Sequence, residues 1–204
     1  MRRTFVFLLA LASTGCARHV YSTPAPPSEP RIVLSGAALA ANASVSSREV
    51  VDYLLARGIE IPVAGATAGT LHDTFDEGRD GGRVHRALDI MAPRGTPVIS
   101  ADSGRILRIG ASGLGGNVIY ATDLLGRVVY YYAHLDAYQP GLTQGAIIAR
   151  GDTLGFVGTT GNAPKDAPHL HFQVMRMPSD GKYWDGEPIN PYPLILLSHD
   201  PARP

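Results

Sequence analysis

The chain is 204 residues long, with 18 Lys plus Arg set against 18 Asp plus Glu. That length supports one domain with a substantial core once leader and linker are set aside. Zero net charge without a basic run argues against a nucleic-acid surface, and the single cysteine, Cys16, excludes an intrachain disulfide.

Residues 1–16 read as an export signal. Arg2 and Arg3 precede the apolar run from Phe5 to Ala12, and the small residues Ser13, Thr14 and Gly15 lead into Cys16. The run is too short to span a bilayer as a mature helix. Gly15-Cys16 resembles the end of a bacterial lipoprotein signal, in which the cysteine is lipidated and becomes the new N-terminus. Ser13 departs from the aliphatic residue usual at that place, so ordinary cleavage near Ala12 stays open. Ala17, where Asp would signal retention, resembles lipoproteins sorted to an outer membrane. Residues 17–46 form a Pro/Ala/Ser-rich tether, with Pro24, Pro26, Pro27 and Pro30 opposing helix and packed sheet.

A short helix is predicted over 47–57, capped by Ser47, striped by Val50, Val51, Leu54 and Leu55, and stopped by Gly58. The apolar stripe assigns segment 47–60 to packing on the main domain rather than to covering a groove. Between 61 and 197 the pattern becomes short strands separated by turns, with 198–204 as a tail. Strands are predicted at 97–101, 104–109, 117–122, 127–135, 153–158 and 169–176, which makes an all-β, antiparallel domain. Arg94-Gly-Thr-Pro-Val98 faintly echoes Arg150-Gly-Asp-Thr-Leu154, either as a pseudo-repeat or as two similar turns.

Three stretches can carry chemistry. In a strand over Pro168 to Val174, alternation puts His169, His171 and Gln173 on one face and Leu170, Phe172 and Val174 on the other. Two imidazoles on one face can hold a metal, or one can hold it while the other handles a proton. In His85-Arg-Ala-Leu-Asp89, Pro93 and Pro97 oppose a continuing helix. A strand there would turn His85, Ala87 and Asp89 one way and Leu88 and Ile90 the other. The run Val128-Val-Tyr-Tyr-Tyr-Ala-His134-Leu135 is a strong strand signal, and strict alternation would put His134 with Tyr130 and Tyr132.

Together these stretches resemble the lysostaphin-type (LytM-like) zinc endopeptidases of peptidoglycan. That family's pattern is His-x-x-x-Asp, then Tyr-x-His-Leu, then His-x-His, met here as His85/Asp89, Tyr132-Ala-His134-Leu135 and His169-Leu-His171. Connecting phrases such as Ala92-Pro-Arg-Gly-Thr-Pro-Val98 and Gly158-Thr-Thr-Gly-Asn162 fall in the same order. The resemblance spans roughly 61–195. One departure is Ala87, where the family has Gly; another is the linker between Gly161 and His169, which would alter groove shape.

The resemblance implies a groove holding one catalytic Zn2+ on His85, Asp89 and His171, with His134 and His169 as the unliganded catalytic pair. Three protein ligands leave the fourth zinc position for water, whose pKa the metal can lower to about 7. It further implies an exported cell-envelope enzyme that cuts peptidoglycan peptides, tethered to an outer membrane through Cys16 and facing the periplasm. The expected bond joins D-alanine to the side chain of meso-diaminopimelate. The alternative is a non-catalytic or closed-site relative that activates cell-wall amidases. His72 reads as a solvated loop residue or part of the groove wall. Tyr183 and Trp184 read as a substrate-contacting rim or as packing of the closing segment.

Overall fold

The computed structural model describes residues 45–200 and 202; the export signal, Cys16 and the tether up to residue 44 lie outside the described residues. The first element is α1 (Ser47–Arg57). Its cap is Ser46 rather than Ser47: the Ser46 side chain accepts from the Glu49 N–H while Glu49 reaches back to the Ser46 N–H. This reciprocal pair satisfies two donors that a helix start leaves open. Ser47 is displaced by one position and instead donates to Glu187, 2.6 Å away. Gly58, at φ 68°, ends the helix as its sequence position indicates.

The strands follow in order. A small hairpin pairs β1 (Gly78–Arg79) with β2 (Arg83–Val84). The main sheet begins with β3 (Leu88–Met91), β4 (Pro97–Ile99), β5 (Gly104–Ser112) and β6 (Gly116–Asp123). It continues through β7 (Val128–Tyr138), β8 (Ile147–Ile148), β9 (Thr153–Val157), β10 (His169–Arg176) and β11 (Glu187–Ile189). Pairing is antiparallel, in the order β11-β10-β7-β6-β5-β8, with β3 on β10 and β9 on β7. The all-β expectation therefore describes the domain, and each of the six strands read from the sequence is present.

A second helix, α2 (Pro191–Ser198), was not predicted. Its sequence Tyr192-Pro-Leu-Ile-Leu-Leu197 is apolar on all sides and offers no stripe to read. The signal that remains is at its start, where Asn190 caps the helix and Pro191 occupies the first turn. Its end is tied in, because the Ile59 N–H donates to Ser198 Oγ at 3.0 Å.

The echoed turns prove to be spatial partners. β4 pairs with β9, and each turn repeats the other's hydrogen bonds. Gly95 N–H donates to Val157 O and Val157 N–H to Thr96 O, while Gly151 N–H donates to Ser100 O and Ser100 N–H to Asp152 O. The two turns thus bind back onto the strand residues opposite them, one at each end of the β4–β9 pair.

One face of the sheet carries the main core. Tyr130, Tyr132, Leu135, Leu170, Phe172 and Val174 lie there, fully buried with Val50 and Leu54 of α1 and Ile195 of α2. The other face holds a smaller cluster around Val118, Val129, Tyr131 and Met175. Burying α1 against the core face leaves the opposite face open.

Candidate active site

The open face bears a cleft of about 720 Å³. Its floor is β10, where His169, His171 and Gln173 point into the cleft while Leu170 and Phe172 are fully buried behind them. That alternation is the one read from the sequence. The β1–β2 hairpin forms one wall, and Leu114, Asn162, Ala163 and Pro164 form part of the other. The linker after Gly161 therefore lines the groove.

His85 does not sit on a strand. β3 begins only at Leu88, and Arg86 takes a left-handed φ of 58°, which breaks the alternation assumed for His85, Ala87 and Asp89. Ala87 is completely buried, so its methyl packs inward rather than towards the cleft. Asp89 lies opposite His171 in the β3–β10 ladder, which brings the two chemical stretches together. Thr74 organises the entry: its carbonyl meets His85 Nδ1 at 2.9 Å, and its hydroxyl accepts from the Asp89 N–H. No periodic pattern marks Thr74 in the sequence, and only its closeness to the His85 motif could have drawn attention.

His134 also departs from simple alternation. The β6–β7 register shifts between Asn117 and Ile119, and His134 adopts φ 61° inside that bulge. The extra residue moves its side chain from the Tyr130/Tyr132 core face to the cleft face, beside Tyr131. Two glycines permit this. A Cβ on Gly116 would lie 2.3 Å from Gly161 N, and one on Gly161 would lie 2.2 Å from Leu114 O. Their loops touch and deliver two carbonyls to the bulge: Gly115 O accepts from the His134 N–H, and Thr160 O lies 2.9 Å from His134 Nδ1.

Three side chains converge. His85 Nε2 is 3.0 Å from Asp89 Oδ1 and 2.9 Å from His171 Nδ1, and His171 Nδ1 is 3.2 Å from the same carboxylate oxygen. Tetrahedral ligands at about 2.0–2.1 Å from zinc are separated by about 3.3 Å, close to these edges. The donor set fits a cation as well. Thr74 O can only accept, so a neutral His85 carries its proton on Nδ1 and presents a lone pair from Nε2 towards a carboxylate. Burial raises the Asp89 carboxyl, but the His171 and His85 imidazoles beside it outweigh that effect and hold the group well below the ordinary range. Burial, above all, lowers His171.

His134 and His169 stand beside this triangle. Their rings meet edge to face with centroids 5.0 Å apart, and His134 is 5.6 Å from His171. His169 places Nδ1 2.8 Å from Ala167 O, with Nε2 3.8 Å from Asp89 Oδ1. Burial drives His134 down to about 4, so its ring is neutral near pH 7.

Of the remaining candidates, His72 is exposed on the cleft edge, so the loop and groove-wall readings are both met. Tyr183 packs on Tyr120 at 5.2 Å and Trp184 is exposed, but neither lines the cleft.

An antiparallel β-domain with a histidine–aspartate metal-binding geometry on the floor of an open cleft is the class that fold and side chains define. Residues 83–191 match Peptidase family M23, and the chain belongs to that family. Among curated proteins, it is 35% identical over 114 residues to the DD-carboxypeptidase/endopeptidase Mpg of Neisseria meningitidis serogroup B, across 56% of this chain and 23% of the relative. It is 33% identical over 124 residues to the L-Ala–D-Glu endopeptidase of Bacillus subtilis, across 58% of this chain and 36% of the relative. The chain thus matches well under half the length of either. Among solved structures, Helicobacter pylori Csd3 superposes with a TM-score of 0.50 at 29% identity, over 65% of this chain and 33% of that one. The family named from sequence resemblance is the family found.

Proposed function

We propose that this chain is an exported zinc endopeptidase that hydrolyses peptide cross-links of bacterial peptidoglycan. The observation that carries this reading is the convergence of His85 Nε2, Asp89 Oδ1 and His171 Nδ1 at 2.9–3.2 Å beside two further imidazoles in an open cleft. These three atoms would hold one Zn2+, which when bound would supply Lewis-acid polarisation of a carbonyl and a water whose pKa is lowered to about 7.

The chain's own groups do the rest. In neutral His134 and His169, a carbonyl keeps the proton on Nδ1, which leaves each Nε2 able to accept one. His169, nearer the ligand carboxylate, is the base that takes a proton from the attacking water and returns it to the leaving amine. His134, neutral near pH 7 with its proton held on Nδ1, orients that exchange through Nε2. The similar proteins are named for different wall bonds, a D,D bond in one and L-Ala–D-Glu in the other. The D,D cross-link between D-alanine and meso-diaminopimelate is proposed here, because it accords with the more identical relative and with the lipoprotein-type leader.

A cell-envelope location accords with the leader-like pattern of residues 1–16. Lipidation at Cys16 would hold it on the outer membrane within reach of the wall. Mass analysis of the mature N-terminus distinguishes a lipidated Cys16 from cleavage near Ala12. Digestion of purified sacculi, with and without a zinc chelator, tests the activity. Chelator-sensitive conversion of cross-linked dimers to monomers is expected, and amidase activation without cleavage would replace this reading with the regulator alternative.

A further inference from the structure

Asp89 divides its two oxygens between different duties. Oδ1 faces His85, His171 and His169, whereas Oδ2 accepts from Arg79 Nη2 at 2.8 Å. Arg79 lies on β1, in the hairpin that forms the cleft wall, and was not singled out in the sequence. Its other amino group, Nη1, donates to Glu77 Oε2 at 2.8 Å. Glu77 O in turn accepts from the His85 N–H at 2.9 Å. The guanidinium therefore ties the segment that leads into one ligand to the carboxylate of another.

We propose that Arg79 is a positioning residue for the metal site: it engages Asp89 Oδ2 so that the carboxylate offers the ion Oδ1 alone. The inference rests on the metal-ligand assignment above. A carboxylate turns readily about its last torsion, which is broad and two-fold. Without a partner, Oδ2 can swing inward and bind alongside Oδ1, raising the coordination number and crowding the position needed for water. A charge-assisted hydrogen bond opposes that rotation, and a planar guanidinium spans Glu77 and Asp89 in a way that a lysine cannot. Partners of this kind alter metal affinity by about 10–100-fold when removed.

The test compares wild type, Arg79→Ala and Arg79→Lys, with the folded state of each metal-free protein checked by circular dichroism. Zinc affinity is measured by competition with a chromogenic chelator, and coordination by the visible spectrum of the Co2+-substituted protein. Arg79→Ala is expected to bind zinc about 10–100-fold more weakly and to lose the intense absorption of four-coordinate cobalt. Arg79→Lys is expected to fall between the two in affinity, and it stands in for the alanine variant should that variant not fold. Wild-type affinity or an unchanged cobalt spectrum in a folded variant would overturn the inference. Failure of the wild-type protein to bind zinc would instead remove the ligand assignment beneath it.

Discussion

His134 and His169 face each other at 5.0 Å between ring centroids, and each rests its Nδ1 on a backbone carbonyl, that of Thr160 or Ala167. Both Nε2 atoms are thereby left for chemistry. Because burial lowers His134 to about 4, the metal-free protein should show a His134 ring titrating near that value in a two-dimensional NMR experiment. The ordinary histidine value is about 6.5, so between the two pKa values the unfolded chain binds more protons than the folded one. His134 thus contributes stability that is fully present above about pH 6.5 and is lost as pH falls towards the folded value. A midpoint near 6.5 would contradict the buried, neutral ring.

Gly161→Ala tests how the His134 bulge is held. Position 161 has φ 69°, and a methyl there would lie 2.2 Å from Leu114 O and 2.3 Å from Gly116 N. Backbone strain alone costs about 1–3 kcal/mol, and the clash must also push Thr160 and its carbonyl away from His134. Thermal melting should fall by several degrees, with activity per folded molecule reduced as well. Loss of stability without loss of specific activity would separate the glycine contact from the catalytic geometry.

Leu54→Ala addresses the role of α1. Leu54 is fully buried in the main core, on the face away from the cleft. The substitution should cost about 2–5 kcal/mol, read by chemical denaturation, while leaving activity per folded molecule intact. A gain in specific activity would instead identify α1 as an inhibitory cover.

Asp102 should govern acid stability at the back of the domain. Its carboxylate is 1% exposed, bonded to Arg57 at 2.7 and 3.0 Å and to Arg150 at 3.0 Å. Burial raises the group, but both guanidinium partners outweigh it and hold it below the usual aspartate range. Its stabilisation is present above the unfolded value of about 3.9 and is lost as pH falls through the depressed folded value. Asp102→Asn should remove about 1.5–3 kcal/mol at neutral pH and flatten the acid limb of the stability profile below about pH 4. An unchanged limb in urea melts across that range would assign acid sensitivity elsewhere.

Much of this arrangement was legible because simple periodicity governs it. β10 alternates His169, His171 and Gln173 against Leu170 and Phe172 without interruption, and α1 carries a readable stripe and a glycine stop. Two of the readings that changed involve residues at positive φ. Arg86 and His134 each take a left-handed conformation that strict alternation does not anticipate. For His134 the reason lies in backbone contacts between loops distant in sequence, at Gly116 and Gly161. Thr74 acts through a carbonyl and a hydroxyl and Arg79 through two ion pairs, none of which leaves a periodic trace. The helix α2 was hidden because its residues are apolar on every side.

The proposed function divides labour between a metal-binding triangle and a proton-handling pair. Parallel measurement of zinc content and sacculus cleavage in His171→Ala and His169→Ala tests it most directly. His171→Ala should lose both zinc and cleavage, whereas His169→Ala should retain stoichiometric zinc and fall about 10²–10⁴-fold in cleavage rate. Zinc retained in the first variant, or full cleavage by the second, would contradict the account.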